Sequence, residues 1–149
     1  MVLQLKNIFS IPNESKKFDC EINAEKLEQY PYHSFGSPVT VSGTVSNRAG
    51  VVTLCYSCKF VADHVCDRCL CEFAREYSFS FEHTLVTEDS RYDDHIVCKD
   101  YALDMDELVM CDLLLELPTK ILCREDCKGL CFKCGADLNK GECSCSHSN

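Results

Sequence analysis

Apolar and polar positions alternate most clearly from Ala74 to Leu85, where Tyr77, Phe79 and Phe81 share one side and Glu76, Ser78, Ser80 and Glu82 the other. Successive side chains of a strand point to opposite faces, so this pattern predicts a strand with one face in a core and one in water. The stretch from Val39 to Val65 predicts two more strands. Val39, Val41 and Val45 fall on one face, Gly43 is placed as a bulge, Asn47 to Gly50 forms a turn, and Val51, Val52 and Leu54 resume the apolar run. Phe18, Cys20 and Ile22 alternate with Asp19 and Glu21 in a shorter strand, and another is expected around His95 to Cys98. Asn23 to Gln29 fits a short helix capped by Asn23, and Pro31, Gly36 and Pro38 punctuate the loop after it.

The period changes after Asp104. Asp104 and Glu107 have the spacing of a helix-capping arrangement, and Leu108, Val109, Cys111, Leu113, Leu114, Leu115 and Leu117 follow before Pro118 ends the helix. Apolar residues occupy more than one stripe of this helix, which predicts a principal core element packed on the sheet. The expected fold is therefore α+β. A β-rich antiparallel sheet domain with one main core helix spans residues 1–118, and a cysteine-rich zinc-binding module, residues 119–149, packs on it.

Composition adds to this picture in two places. Apolar residues make up 46% and charged residues 26% of the 149 residues, an ordinary globular mix, and no apolar run is long enough for a membrane span. The N-terminal segment has no basic leader, apolar core and small-residue cleavage site, so the expectation is an intracellular, cytoplasmic chain in a reducing compartment. The net charge of −9 is unevenly placed: residues 1–117 carry 10 Lys+Arg against 20 Asp+Glu, and residues 118–149 carry 5 against 4. An acidic body repels a phosphate backbone and suits a basic protein partner better than naked nucleic acid.

Fourteen cysteines matter more than the charge. In a reducing compartment they are thiols, and clustered thiols hold metal. Eight of them fall in four short-spaced pairs, Cys66/Cys69, Cys123/Cys127, Cys131/Cys134 and Cys143/Cys145. Disulfides gain little from closing such short loops. The segment from Cys123 to Cys145 holds six cysteines and few large apolar groups, so a structural zinc is expected to supply the free energy that orders it. In Cys131-Phe-Lys-Cys134-Gly135 the two-residue gap lets both thiolates meet one ion, and the glycine allows the left-handed turn that closes the loop.

Cys131, Cys134, Cys143 and Cys145 are the expected ligands of one closed, tetrahedral and hence structural site. Cys66-Asp-Arg-Cys69 sits at a turn between strands and needs two further ligands. Cys123 and Cys127 are the expected partners, with a single site shared with Cys131/Cys134 as the alternative and a turn holding buried thiols as the reading without metal. One or two zinc ions follow. Cys55 and Cys58 also have the C-x2-C spacing, but in a strand they point to opposite faces and cannot share an ion. Cys20, Cys71, Cys98 and Cys111 are expected to be buried thiols, and His147 is a possible substitute ligand in a loosely held terminus.

Catalytic signals are sparse. No glycine-rich phosphate loop is present, Glu88, Asp89, Asp93 and Asp94 read as a solvated loop, and His33, His64, His83, His95 and His147 are scattered without a nucleophile beside them. Cys127-x3-Cys131-x2-Cys134 has the spacing of radical enzymes that hold a four-iron cluster and S-adenosylmethionine, but the chain is too short for the barrel they need. No catalytic residue is assigned.

The segments CDRCLCEF (Cys66 to Phe73) and CREDCKGLCFKCGADLN (Cys123 to Asn139) resemble the signature of the YceD family, the large ribosomal RNA subunit accumulation proteins. The likeness extends to Val41-Ser-Gly43 and to Leu115-x-Leu-Pro118, whereas Cys55, Cys58 and Cys71 lie outside the family pattern. The resemblance implies a non-enzymatic factor needed for large-subunit ribosomal RNA to accumulate, acting on a basic ribosomal protein or the pre-ribosomal large subunit, with ribosomal RNA as a further partner. Two other functions are open at this stage. One is a nucleic-acid-binding zinc module using Lys120, Arg124, Lys128, Lys133 and Lys140 with Phe132 stacked on a base. The other is a thiol-based redox or metal-handling protein.

Overall fold

A computed structural model describes residues 1–27, 34–88, 91 and 93–145. In chain order the elements are β1 (Val2–Gln4), α1 (Lys6–Ser10), β2 (Ser15–Ile22), α2 (Ala24–Leu27), β3 (Ser34–Phe35), β4 (Val39–Arg48), β5 (Val51–Val65), β6 (Glu72–Val86), β7 (His95–Val97), a 3-10 turn at Lys99–Tyr101, β8 (Ala102–Asp104) and α3 (Met105–Glu116). The six-stranded sheet runs β2-β4-β5-β6-β7, with the short β3 also paired to β5, and β1 pairs with β8 in a two-stranded sheet. Pairing is antiparallel except at the edge, where β7 runs parallel to β6. The expectation of an antiparallel sheet is corrected at that edge.

Strand alternation does the sorting. Every second residue of β5, from Val52 through Leu54, Tyr56, Cys58, Phe60 and Ala62 to His64, is buried, and each lies opposite an inward residue of β6: Phe81 faces Tyr56, Phe79 faces Cys58 and Tyr77 faces Phe60. Their rings form a ladder, with centroids 5.2 Å apart for Tyr56 and Phe81 and 5.3 Å for Phe60 and Tyr77. Such cross-strand aromatic pairs fix register, since a one-residue slip would turn them all to solvent. The hairpin between β4 and β5 closes through Ala49 and Gly50, both at positive φ (52° and 85°), the two-residue turn whose twist suits antiparallel strands. The side-chain oxygen of Asn47 accepts the Gly50 N–H at 3.1 Å, and its amide donates to the Ile8 carbonyl at 2.8 Å.

Gly43 is no bulge. It pairs without interruption with Phe18 on β2 and Tyr56 on β5. A Cβ there would lie 2.6 Å from the Tyr56 Cβ and 2.7 Å from the Phe18 ring, so glycine is required by close packing on a regular ladder.

The α3 helix covers the inner face of the sheet with Met105, Leu108, Val109, Met110 and Leu113. Asp104 caps it by accepting the Asp106 N–H at 2.9 Å. The apolar character of the helix runs past its buried face: Leu115 is 83% exposed, and Cys111, on the same outer stripe, is exposed rather than buried as expected. Of the other thiols expected inside, Cys98 is fully buried, and Cys20 and Cys71 are half-buried. Asp112 is the buried polar residue on the core side, where the Tyr56 hydroxyl donates to its Oδ2 and His83 Nε2 lies 2.6 Å from the same atom.

Leu3, Leu5 and Ile8 of the N-terminal elements join the same core, although residues 1–14 carry no legible pattern. Elements of three and five residues are too short to display a period. Residues 28–29 of the expected first helix, Pro31, His33, Asp89 and His147 lie outside the described residues. Beyond α3, residues 118–145 form turns and a single bridge between Leu130 and Asp137.

Candidate metal centres

The β5–β6 hairpin carries its pairing out to Val65 opposite Glu72, and its tip is the loop Cys66-Asp-Arg-Cys69-Leu-Cys71. Two backbone bonds shape the tip: the Leu70 N–H reaches the Cys66 carbonyl and the Cys66 N–H reaches the Cys71 carbonyl, both at 2.9 Å. Leu70 takes a positive φ of 59° to allow this. The loop at Cys131 repeats the arrangement. The Gly135 N–H reaches the Cys131 carbonyl and the Cys131 N–H reaches the Ala136 carbonyl, both at 2.8 Å, with Gly135 at φ 74°. Each loop turns two sulfurs to the same side.

After α3 the chain returns to the first tip. Asp67 exchanges bonds with Ile121, its N–H donating to the carbonyl at 2.8 Å and its carboxylate accepting the Ile121 N–H at 2.6 Å. Arg75 on β6 donates to the Leu122 carbonyl at 2.6 Å, and Arg68 donates to the Cys127 carbonyl at 2.9 Å. This docking places Cys123 and Cys127 over Cys66 and Cys69. The sulfurs of Cys66 and Cys127 are 3.7 Å apart, as are those of Cys69 and Cys123.

All four ligand atoms of this set lie within 4.8 Å of one another, and so do those of Cys131, Cys134, Cys143 and Cys145. The alternative pairing of Cys66/Cys69 with Cys131/Cys134 is not the one the fold makes. Cys55 and Cys58 point to opposite sides of β5, exposed and buried, and meet neither set.

The spacing suits a tetrahedral ion. Zinc–sulfur bonds of about 2.3 Å put the four sulfurs of a regular tetrahedron about 3.8 Å apart. A disulfide would need about 2.05 Å, and every cysteine here is a free thiol. The electrostatics point the same way. Burial acts to raise the Cys66 thiol, but the N–H groups of Cys69, Cys123 and Arg68 aimed at its sulfur hold it down at about 6. Those of Cys134 and Lys133 hold Cys131 at about 6. Burial and the neighbouring sulfurs of Cys69 and Cys127 push Cys123 up, while the Cys134 sulfur and burial push Cys145 up to about 12. Each set thus holds one thiol down and pushes another up, a conflict that a divalent cation among them removes.

Sequence reasoning missed three residues at these centres. Asn139 donates from Nδ2 to the Cys127 sulfur at 3.4 Å, while its Oδ1 accepts the Lys128 N–H at 2.8 Å and the Arg124 guanidinium at 2.9 Å. Arg68 is the x residue that locks the Cys127 loop. Cys71 was expected as a plain buried thiol, yet its sulfur lies 3.3 Å from that of Cys69. The signal available for all three was their position inside or beside the cysteine motifs.

Residues 54–149 match the family model described as large ribosomal RNA subunit accumulation protein YceD. An uncharacterized protein of Mycobacterium leprae (strain TN) is 35% identical over 106 residues, 70% of this chain and 45% of that protein. Large ribosomal RNA subunit accumulation protein YCED homolog 1, chloroplastic, of Arabidopsis thaliana is 52% identical over 31 residues, 21% of this chain and 10% of that protein. The chain thus spans less than half the length of the curated relatives it matches. No solved structure matches it. Among the described residues no helix is long and apolar enough to cross a membrane.

Proposed function

The chain belongs to the YceD family of large ribosomal RNA subunit accumulation proteins, and from that premise we propose that it is a cytoplasmic, non-enzymatic factor in biogenesis of the large ribosomal subunit. It acts by binding a basic ribosomal protein or the pre-ribosomal particle. The observation that carries this reading is the family match over residues 54–149, which takes in both cysteine sets. The charge distribution supports the choice of partner: 20 acidic against 10 basic side chains over residues 1–117 make a field that attracts a cationic protein and repels bare RNA.

In this reading the chain divides near residue 118 into a sheet domain and a zinc module. Cys66, Cys69, Cys123 and Cys127 hold one zinc ion, and Cys131, Cys134, Cys143 and Cys145 hold the second. Four thiolates leave no open position, so zinc supplies folding free energy and a rigid surface rather than chemistry. The first ion joins the hairpin tip to the segment after α3, so the module's order depends on the sheet domain.

Affinity capture of the tagged chain from lysate, with and without nuclease, tests the reading. Recovery of large-subunit proteins or precursor particles is expected, and their absence from both arms overturns it. Metal analysis of protein purified without added zinc is expected to find about two ions per chain.

A second reading, a nucleic-acid-binding zinc module, has one observation in its favour. Phe132 is 84% exposed on the Cys131 loop, with the Lys133 ammonium 5.8 Å from its ring centre. Charge reversal at Lys120, Arg124, Lys128, Lys133 and Lys140 separates the two: lost capture of RNA with protein capture intact favours this second reading.

A further inference from the structure

The two cysteine loops share one backbone design, and one of the positions at which they differ bears on the metal. In the second loop the residue whose carbonyl accepts the first cysteine's N–H is Ala136; in the first loop it is Cys71. The bond uses only backbone atoms, so alanine serves it as well and the sulfur at 71 is an addition to the design. That sulfur does not point away. It lies 3.3 Å from the Cys69 sulfur, closer than the 3.7 Å between Cys69 and Cys123, and it also interacts with the Cys123 thiol. Cys71 is half-buried and packs against the cluster of Cys66, Cys69 and Cys127. It therefore sits beside the Cys69–Cys123 edge of the first set.

From this placement we propose that Cys71 is a spare ligand of the first metal site, able to take the place of Cys69 or Cys123 on the ion. The inference rests on the reading that this site holds zinc. The exchange balances without any redox partner. The Cys71 thiol gives its proton to water and its sulfur enters the coordination shell, while the displaced Cys69 sulfur leaves the ion and takes up a proton. Four thiolates hold the ion before and after, and the movement required is about the 3.3 Å between the two sulfurs. The second site has Ala136 at the equivalent place and cannot do this.

The test compares Cys69→Ser, Cys69→Ser/Cys71→Ser, Cys123→Ser and Cys134→Ser with the unaltered full chain, by native mass spectrometry after loading with zinc. The unaltered chain is expected to carry about two ions, and so is Cys69→Ser or Cys123→Ser; the double variant and Cys134→Ser are expected to carry about one. Alkylation of the loaded proteins supplies a second readout: Cys71 reacts in the unaltered chain and becomes protected in Cys69→Ser. Loss of one ion, or of the fold, in both Cys69→Ser and Cys123→Ser overturns the role of Cys71. An unaltered chain that binds no zinc overturns instead the reading on which it stands.

Discussion

Asn139 belongs to the segment between the second set's cysteines, yet its side-chain amide donates to the sulfur of Cys127, a member of the first set, at 3.4 Å. Its oxygen meanwhile holds the Lys128 N–H at 2.8 Å, and its own N–H and amide are fixed by Asp137 at 3.0 and 2.9 Å. One residue thus orients a cysteine of one set from within the loop of the other. Groups that orient metal ligands this way contribute about 10–100-fold to affinity. Asn139→Ala is expected to weaken the first site by that order and leave the second unchanged, read by competition with a chelator.

Cys66→Ser removes the sulfur that faces Cys127 at 3.7 Å, whereas Cys71 neighbours Cys69 and Cys123. Metal content is expected to fall from about two ions to about one, and the docking of residues 121–130 on the hairpin tip to be lost. Hydrogen exchange at the Asp67, Ile121 and Leu130 amides, all bonded across this junction, reports the second effect. Retained protection there after loss of the ion would show that the ion does not hold the two segments together.

Tyr56 donates to the buried carboxylate of Asp112, which faces the β-sheet from α3. Tyr56→Phe keeps the ring contacts with Phe81 and removes the hydroxyl. Hydrogen bonds to charged groups contribute about 1.5–3 kcal/mol, and a loss of stability in that range is expected in denaturant titration.

Gly43→Ala places a methyl group 2.6 Å from the Tyr56 Cβ and the Cys55 carbonyl oxygen, both held by the central strand. Backbone cannot yield as a flexible side chain would, so a loss of about 1–3 kcal/mol is expected from overpacking. If Gly43 were a bulge with room around it, the variant would melt with the unaltered chain.

Burial pushes the thiols of Cys58 and Cys98 up to about 11 from an ordinary 9.0, and burial together with Asp112 pushes the Tyr56 hydroxyl up as well. Between pH 9 and 11 the folded chain keeps protons that the unfolded chain has lost. The stability these groups provide is complete below pH 9 and falls as pH rises through that window. Melting temperature followed upward from about pH 8 should show this decline, shallower in Cys58→Ala/Cys98→Ala; equal slopes would remove these thiols as its cause.

The sequence by itself determined what is written in nearest neighbours. The alternation at Tyr77, Phe79 and Phe81 marks a half-buried strand, Asn47 to Gly50 marks a turn, and Asp104 and Pro118 bracket a helix, because each pattern needs only one pleat or one helical turn to be read. The short spacing of the cysteine pairs is legible for the same reason. The sequence favours Cys123/Cys127 as partners of Cys66/Cys69 but leaves Cys131/Cys134 open, and tertiary structure decided between them: Cys66 meets Cys127 across a separation of 61 residues, brought there by a long hairpin and a return from α3 that no local period encodes. It also decided that Gly43 answers to Tyr56 and Phe18, that β7 runs parallel, that Asp112 turns inward while Cys111 turns out, and that Asn139 serves the other loop's cysteine. Each of these depends on which surfaces meet once the chain is folded. Contacts between distant residues are set by the sum of all burial and hydrogen bonding in the molecule, and a short window of sequence holds only a small part of that sum.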